Sequence, residues 1–284
     1  MFTRSATLKR LATAAVVTAA LAAIPASANA AAVTDQSNPN PGGTGQLVFH
    51  ETNPIAQTFT AGRTGFLTQV DVAVGSAAPQ PATLELRDQA PVNIPGDITY
   101  ASAAASLGAS RTVFAFQPPT WVNAGQKYSF VVTPSAQATF WATNTDFYKA
   151  GNMATKAATG GGWAQMITTD LQFSTTVDEQ TDTVPPVTKF DATSLGGYTI
   201  KLRPLQTDDK SGGDTPSVRC WVDPNEAPAS YDDLGYNPCE SNLVSGRGWH
   251  NVYLASKDRA GNKETPRLYR VLVLEDGFAQ PYPS

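Results

Sequence analysis

The chain has 284 residues, of which only 15% are charged, with a formal net charge of −4 and an abundance of glycine (22) and proline (21). That length allows one large domain or two ordinary ones, each with enough chain for a real core. The acidic balance excludes the basic footprint that nucleic acid or an anionic lipid surface would require.

Residues 1–30 read as a signal peptide. Arg4, Lys9 and Arg10 form a basic start, residues 11–24 are apolar, and Ala28-Asn29-Ala30 supplies the small-x-small pattern for cleavage, with a cut after Ala28 as an alternative. The apolar run is short for a bilayer span and no cysteine follows it, so neither membrane insertion nor a lipid anchor is expected. Cleavage leaves 254 residues and removes three basic groups, which moves the formal net charge to −7. The expected location is extracellular.

Residues 31–45 lack an apolar period and read as a flexible leader. From residue 46 to 177 short alternating runs predominate. Val70, Val72 and Val74 fall on one face with Gln69 and Asp71 opposite, and Ala82, Leu84 and Leu86 alternate with Thr83, Glu85 and Arg87. Further period-two runs lie at 98–104, 112–116, 128–132, 139–142 and 170–175, about eight strands in all. The Ala-rich stretch 101–107 is the one helix-tempting segment, but it is short and uncapped. The pattern predicts a β-sandwich or jelly roll. Residues 178–186 (DEQTDTVPP) read as a linker stiffened by Pro185-Pro186.

A second all-β unit is expected over 187–276, with strands at 198–202, 218–222, 250–255 and 268–274, a hairpin turn at Asp258-Arg259-Ala260-Gly261-Asn262, and a tail at 277–284. Val218, Cys220 and Val222 should share a strand face, which sends Trp221 to the other. Export would place Cys220 and Cys239 in an oxidising compartment, where a disulfide is expected. The fold class is therefore all-β, two tandem β-sandwich modules after a cleaved signal peptide.

The order Pro185-Pro186, Arg219-Cys220-Trp221-Val222-Asp223, Pro238-Cys239, Trp249-His250-Asn251-Val252 and Lys257-Asp258-Arg259-Ala260-Gly261-Asn262 resembles the Ig-like modules of secreted and surface bacterial proteins. The departures are Pro224-Asn225 in place of a Gly-Gly turn and a longer segment up to Asn237. Such a resemblance implies spacing, adhesion or ligand presentation. Ala56-Gln57-Thr58-Phe59-Thr60-Ala61-Gly62, Gly65-Phe66-Leu67-Thr68, Trp141, Tyr148-Lys149-Ala150-Gly151 and Gly161-Gly162-Trp163 loosely resemble jelly-roll-like domains of exported bacterial proteins, some presumed to hold polysaccharide.

Catalytic patterns are sparse. Only His50 and His250 are present, with no G-x-S-x-G elbow, phosphate-binding glycine loop, H-E-x-x-H or C-x-x-C. A glycosidase needs only paired carboxylates, but Asp88, Asp97, Asp178, Glu179 and Asp182 fall mostly in predicted turns and linkers. The chain is expected to be non-enzymatic and to need no cofactor. Asp208, Asp209 and Asp214 stand in a Gly-rich loop that could offer oxygens to calcium, although the spacing fits no EF-hand and solvated Asp-Gly loops are common.

Trp141, Asn144, Asp146, Tyr148 and Trp163 form the candidate ligand site. Aromatic planes ringed by amides and carboxylates match the C–H faces and hydroxyls of a sugar. The competing reading is that these rings cap the core. Trp249, just before a predicted strand, could cover the disulfide. The expected function is binding of an extracellular or cell-wall glycan; the alternative is a structural or adhesive spacer that meets another cell-surface component.

Overall fold

The computed structural model describes residues 31–39, 44–76, 78–108, 110–157, 161–212, 217–235 and 243–279. Within them regular structure is almost entirely β-strand, and no helix is long and apolar enough to cross a membrane. The predicted signal peptide lies outside the described residues.

Two antiparallel sheets enclose the first core. One has seven strands: β1 (Val33–Asn38), β13 (Phe173–Glu179), β4 (Gly65–Ser76), β9 (Ala138–Thr143) and β12 (Asp170–Leu171) in that order, with β2 (Thr44–Phe49) beside β9 and β7 (Ser110–Val122) beside β4. The other runs β11 (Trp163–Met166), β10 (Met153–Lys156), β3 (Ile55–Thr60), β8 (Lys127–Pro134), β5 (Gln80–Ala90) and β6 (Ile94–Leu107). Their inward faces meet in one cluster that includes Phe59, Val70, Val72, Val74, Leu84, Leu86, Phe130, Phe140 and Phe173. The alternation seen at Val70, Val72 and Val74 and at Ala82, Leu84 and Leu86 is therefore the core face of β4 and β5.

A register shift between Leu67 and Gln69 in β4 changes that parity. The extra residue of a β-bulge lets Leu67 and Val70, an odd and an even position, both face inward. Two glycines of the sandwich are sterically required. A Cβ on Gly65, at φ +150°, would strike the Asp178 carbonyl, and one on Gly151 would strike that of Thr58.

Two further sheets enclose a second core. Three strands, β14 (Val187–Gly196), β15 (Thr199–Thr207) and β17 (Leu243–Ser245), face four, β16 (Arg219–Val222), β18 (Gly248–Ala255), β19 (Arg267–Leu274) and β20 (Gly277–Ala279). Phe190, Ile200, Leu202 and Val244 from the first meet Cys220, Val252, Leu254, Tyr269, Val271 and Val273 from the second. The Asp258–Asn262 turn closes as its composition predicts: the Asn262 N–H and side-chain amide each donate to the Asp258 carboxylate at 2.8 Å.

Several expectations are corrected. Residues 33–38 of the expected leader form β1, a strand with polar side chains held by backbone pairing to β13. Its Asp35 carboxylate accepts both contacts from the Gly62 N–H at 3.1 Å. The uncapped Ala-rich stretch 101–107, by contrast, is strand as the reading of 98–104 expected: it pairs with β5, with Ala103 and Leu107 buried. Asp178 and Glu179 of the expected linker extend β13, and residues 277–279 of the expected tail form β20 against β19.

Glu264 ties the second pair of sheets together. Its buried carboxylate accepts the Thr188 N–H at 3.0 and 3.1 Å and the Ser256 N–H at 3.3 Å, linking the start of β14 to the β18–β19 connection. The two pairs of sheets also touch. The Asn123 amide donates to the Arg259 carbonyl at 2.6 Å, and Arg259 Nη1 donates to Thr120 Oγ1 at 3.1 Å.

Candidate functional site

The five residues expected to form one aromatic site do not share a surface. Trp141 is half-buried on β9 of the seven-stranded sheet, paired with Gln46. Trp163 is on β11 of the six-stranded sheet, where it packs, as Ile94 does, against the cluster of Ala56, Val131 and Ala154. Asn144 is exposed, and Asp146 pairs with Lys149 at 2.8 Å.

Tyr148 is a core residue, which corrects its assignment as a ligand contact. Its ring meets Phe173 edge-on at 5.0 Å, and its hydroxyl donates to Gln36 Oε1 at 2.8 Å. Its backbone N–H donates to Asp170 at 3.1 Å, and Asp170 in turn accepts the Gln57 amide at 3.0 Å. Burial pushes the Tyr148 phenol and the Asp170 carboxyl above their ordinary pKa ranges, with the hydrogen bonds to Asp170 pulling the other way. These groups join β3, β12 and the 144–152 loop from inside, where no sugar ring can reach them.

The exposed aromatic surface is on the outer face of the four-stranded sheet. Strand alternation that buries Cys220 turns Trp221 outward, and alternation that buries Val252 and Leu254 turns Trp249, Asn251 and Tyr253 outward. Trp221 is 41% exposed and Trp249 51% exposed. Trp249 therefore does not cover the buried sulfur, as the sequence suggested; it stands on the opposite face with the Arg270 guanidinium 5.1 Å from its ring.

Pairing fixes the layout of this face. Trp221 is directly opposite Tyr253, Asn251 opposite Arg270 and Trp249 opposite Leu272. Four residues of extended strand separate Tyr253 from Trp249, about 13 Å at ~3.3 Å per residue. Beyond Trp221 lies an open cavity of about 510 Å³ lined by Asn225, Glu226, Pro228 and Asp233. The 3-10 turn Tyr231–Leu234 closes that end, with Arg219 stacked 4.2 Å from the Tyr231 ring and Lys263 bonded to Asp232 at 2.6 Å.

His250 braces the middle of the face from its edge. Nδ1 lies 2.6 Å from Asp223 Oδ2 and Nε2 2.9 Å from the Gly246 carbonyl, while Asp223 Oδ1 accepts the Asn251 N–H at 2.7 Å. Two acceptors on one ring suit the imidazolium, which donates from both nitrogens. Burial works against that charge, but the Asp223 and Gly246 contacts outweigh it and raise the pKa above 6.5. A raised histidine pKa contributes stability fully present below pH 6.5 and lost as pH rises through the folded value. The stability gap between wild type and Asp223→Asn should therefore shrink from pH 6 towards pH 9 in denaturant titrations; a gap independent of pH contradicts the imidazolium assignment.

Three carboxylates, Asp182, Asp208 and Asp258, bring one oxygen each to within 4.8 Å of one another. They come from the linker, the loop after β15 and the β18–β19 turn. Of the loop residues singled out for calcium, only Asp208 takes part: Asp209 is exposed and outside the group, and Asp214 lies outside the described residues. Burial raises the Asp258 pKa, and the Asp182 and Asp208 charges add to it. Asp182 is buried too, but the Ser211 and Val184 donors outweigh that and lower its pKa. Its Oδ2 accepts the Ser211 N–H at 3.0 Å and its Oδ1 the Val184 N–H at 3.0 Å, so the linker is pinned here.

No protein-family model matches the chain, and no curated protein matches it.

Proposed function

We propose that the chain is an exported, non-catalytic binding protein, a jelly-roll-like module followed by an Ig-like module, that holds an extracellular polysaccharide on the outer face of the four-stranded sheet. The observation that carries this reading is the pair Trp221 and Trp249, each more than two-fifths exposed on one face of one sheet. Large exposed rings sacrifice burial that the fold would otherwise gain, so two on a common face favour a partner.

The surroundings favour sugar over an apolar protein surface. Asn251 lies between Tyr253, the partner of Trp221, and Trp249, and Arg270 flanks Trp249 from the next strand; both offer hydrogen bonds, while the rings offer flat apolar contact to C–H faces. An open face suits a chain-like polymer laid across several strands, whereas a small ligand calls for an enclosing pocket. The Ala28-Asn29-Ala30 cleavage pattern supports export, and export supports a Cys220–Cys239 disulfide. Cys220 is fully buried beneath the face; Cys239 lies outside the described residues.

Pull-down of the chain from residue 31 onward with insoluble polysaccharides and isolated cell walls tests the proposal. Trp221→Ala and Trp249→Ala should each weaken retention at least ~10-fold, as aromatic anchors do when truncated. Trp141→Ala should leave it unchanged. Folded chain that is retained by none of these surfaces would favour the spacer role.

A further inference from the structure

A second site lies where the two pairs of sheets meet. A half-enclosed cavity of about 220 Å³ is walled on one side by Tyr100, Trp121 and Gln126, and on the other by Lys257 and Arg259. Arg259, at the tip of the β18–β19 turn, places its guanidinium 5.0 Å from the Tyr100 ring and donates through Nη1 to Thr120. Its Nε is buried and has no hydrogen-bond partner.

Neither Arg259 nor Lys257 forms an ion pair among the described residues. Asp258 also borders the cavity, but its carboxylate is turned into its own loop, accepting from the Asn262 N–H and side chain at 2.8 Å. Lys257 and Arg259 thus border the cavity with no close ion-pair partner among the described residues, so a carboxylate entering it would meet two cationic side chains.

We infer that this junction cavity binds a single acidic sugar unit, a hexuronate, through its carboxylate. The cations supply the charge-assisted contacts, and the aromatic wall and the Gln126 amide suit a hydroxylated ring. The volume is below the ~300 Å³ at which pockets for larger ligands begin, so it admits one ring and not an oligomer. The site is separate from the Trp221–Trp249 face, and its occupancy would bridge Arg259 of the second pair of sheets to the Tyr100 side of the first.

Calorimetric titration of the chain from residue 31 onward with glucuronate, glucose and inorganic phosphate tests this. Saturable binding of glucuronate, none of glucose, and weaker binding of phosphate are expected. Lys257→Met, whose side chain makes no hydrogen bond among the described residues, should weaken glucuronate binding ~10-fold or more. Arg259→Gln should do the same, with thermal unfolding run beside it to separate lost binding from a loosened junction. No saturation by glucuronate, equal binding of glucose, phosphate binding as tight as glucuronate, or unchanged affinity in Lys257→Met would each overturn the inference.

Discussion

Glu264→Ala is expected to lower the unfolding free energy by about 3 kcal/mol, a large fraction of a typical domain's stability. The carboxylate is 6% exposed and accepts from two backbone N–H groups, those of Thr188 and Ser256, whose residues have no exposed surface at all. Truncation leaves both donors unpaired inside the protein, and Thr188 also donates its hydroxyl to Ser256 Oγ at 2.6 Å, so the defect spreads through a connected set. Glu264→Gln keeps one acceptor and should lose roughly half as much. Urea titration of both variants, with exposed Glu51→Ala as a control expected within about 0.5 kcal/mol of wild type, checks the ranking. A loss in Glu264→Ala no larger than that of the control contradicts the role of Glu264 as the tie between β14 and the β18–β19 connection.

The second large effect concerns Cys220. Under the proposed disulfide, Cys220→Ser or reduction should lower stability by about 3 kcal/mol, the chain-entropy value for a loop of this length. The position adds a reason: Cys220 has no exposed surface and packs among Val252, Leu254 and Val271, so a serine hydroxyl there would be buried in an apolar cluster. Reduction and substitution separate the two contributions, because reduction opens the loop but keeps the thiol. Equal unfolding midpoints with and without reductant, together with two thiols titrated by alkylation under non-reducing conditions, would contradict the disulfide.

What the sequence disclosed was governed by what is local. Period-two alternation located the core faces of β4, β5 and β16, because burying a sheet on one side imposes that pattern on each strand separately. The same parity placed Trp221 opposite Cys220. Applied to Trp249, Asn251 and Tyr253 it would have found the whole outer face, since Val252 and Leu254 fix the direction of the strand.

Relations between strands were not legible. Trp141 and Trp163 are close in sequence, yet β9 and β11 enter different sheets, a matter of long-range pairing that neither segment encodes alone. Val33–Asn38 carries no apolar period because β1 is held by backbone pairing to β13, which polar side chains permit. Tyr148 resembled a loop aromatic until Gln36, Gln57, Asp170 and Phe173, drawn from four separate segments, closed around it. The Asp182–Asp208–Asp258 group likewise comes from three segments, of which the sequence singled out one for calcium.

The central claim is that the Trp221–Trp249 face takes the polysaccharide, and chemical footprinting tests it most directly. The chain from residue 31 onward would be oxidised with a tryptophan-selective reagent, free and bound to a polymer that retains it, and oxidation at each tryptophan read by peptide mass spectrometry. The account predicts that bound polymer protects Trp221 and Trp249 and leaves the half-buried Trp141 and Trp163 at their free-state levels. Protection of Trp141 and Trp163 with Trp221 and Trp249 still reactive would contradict it and move the binding surface to the first pair of sheets.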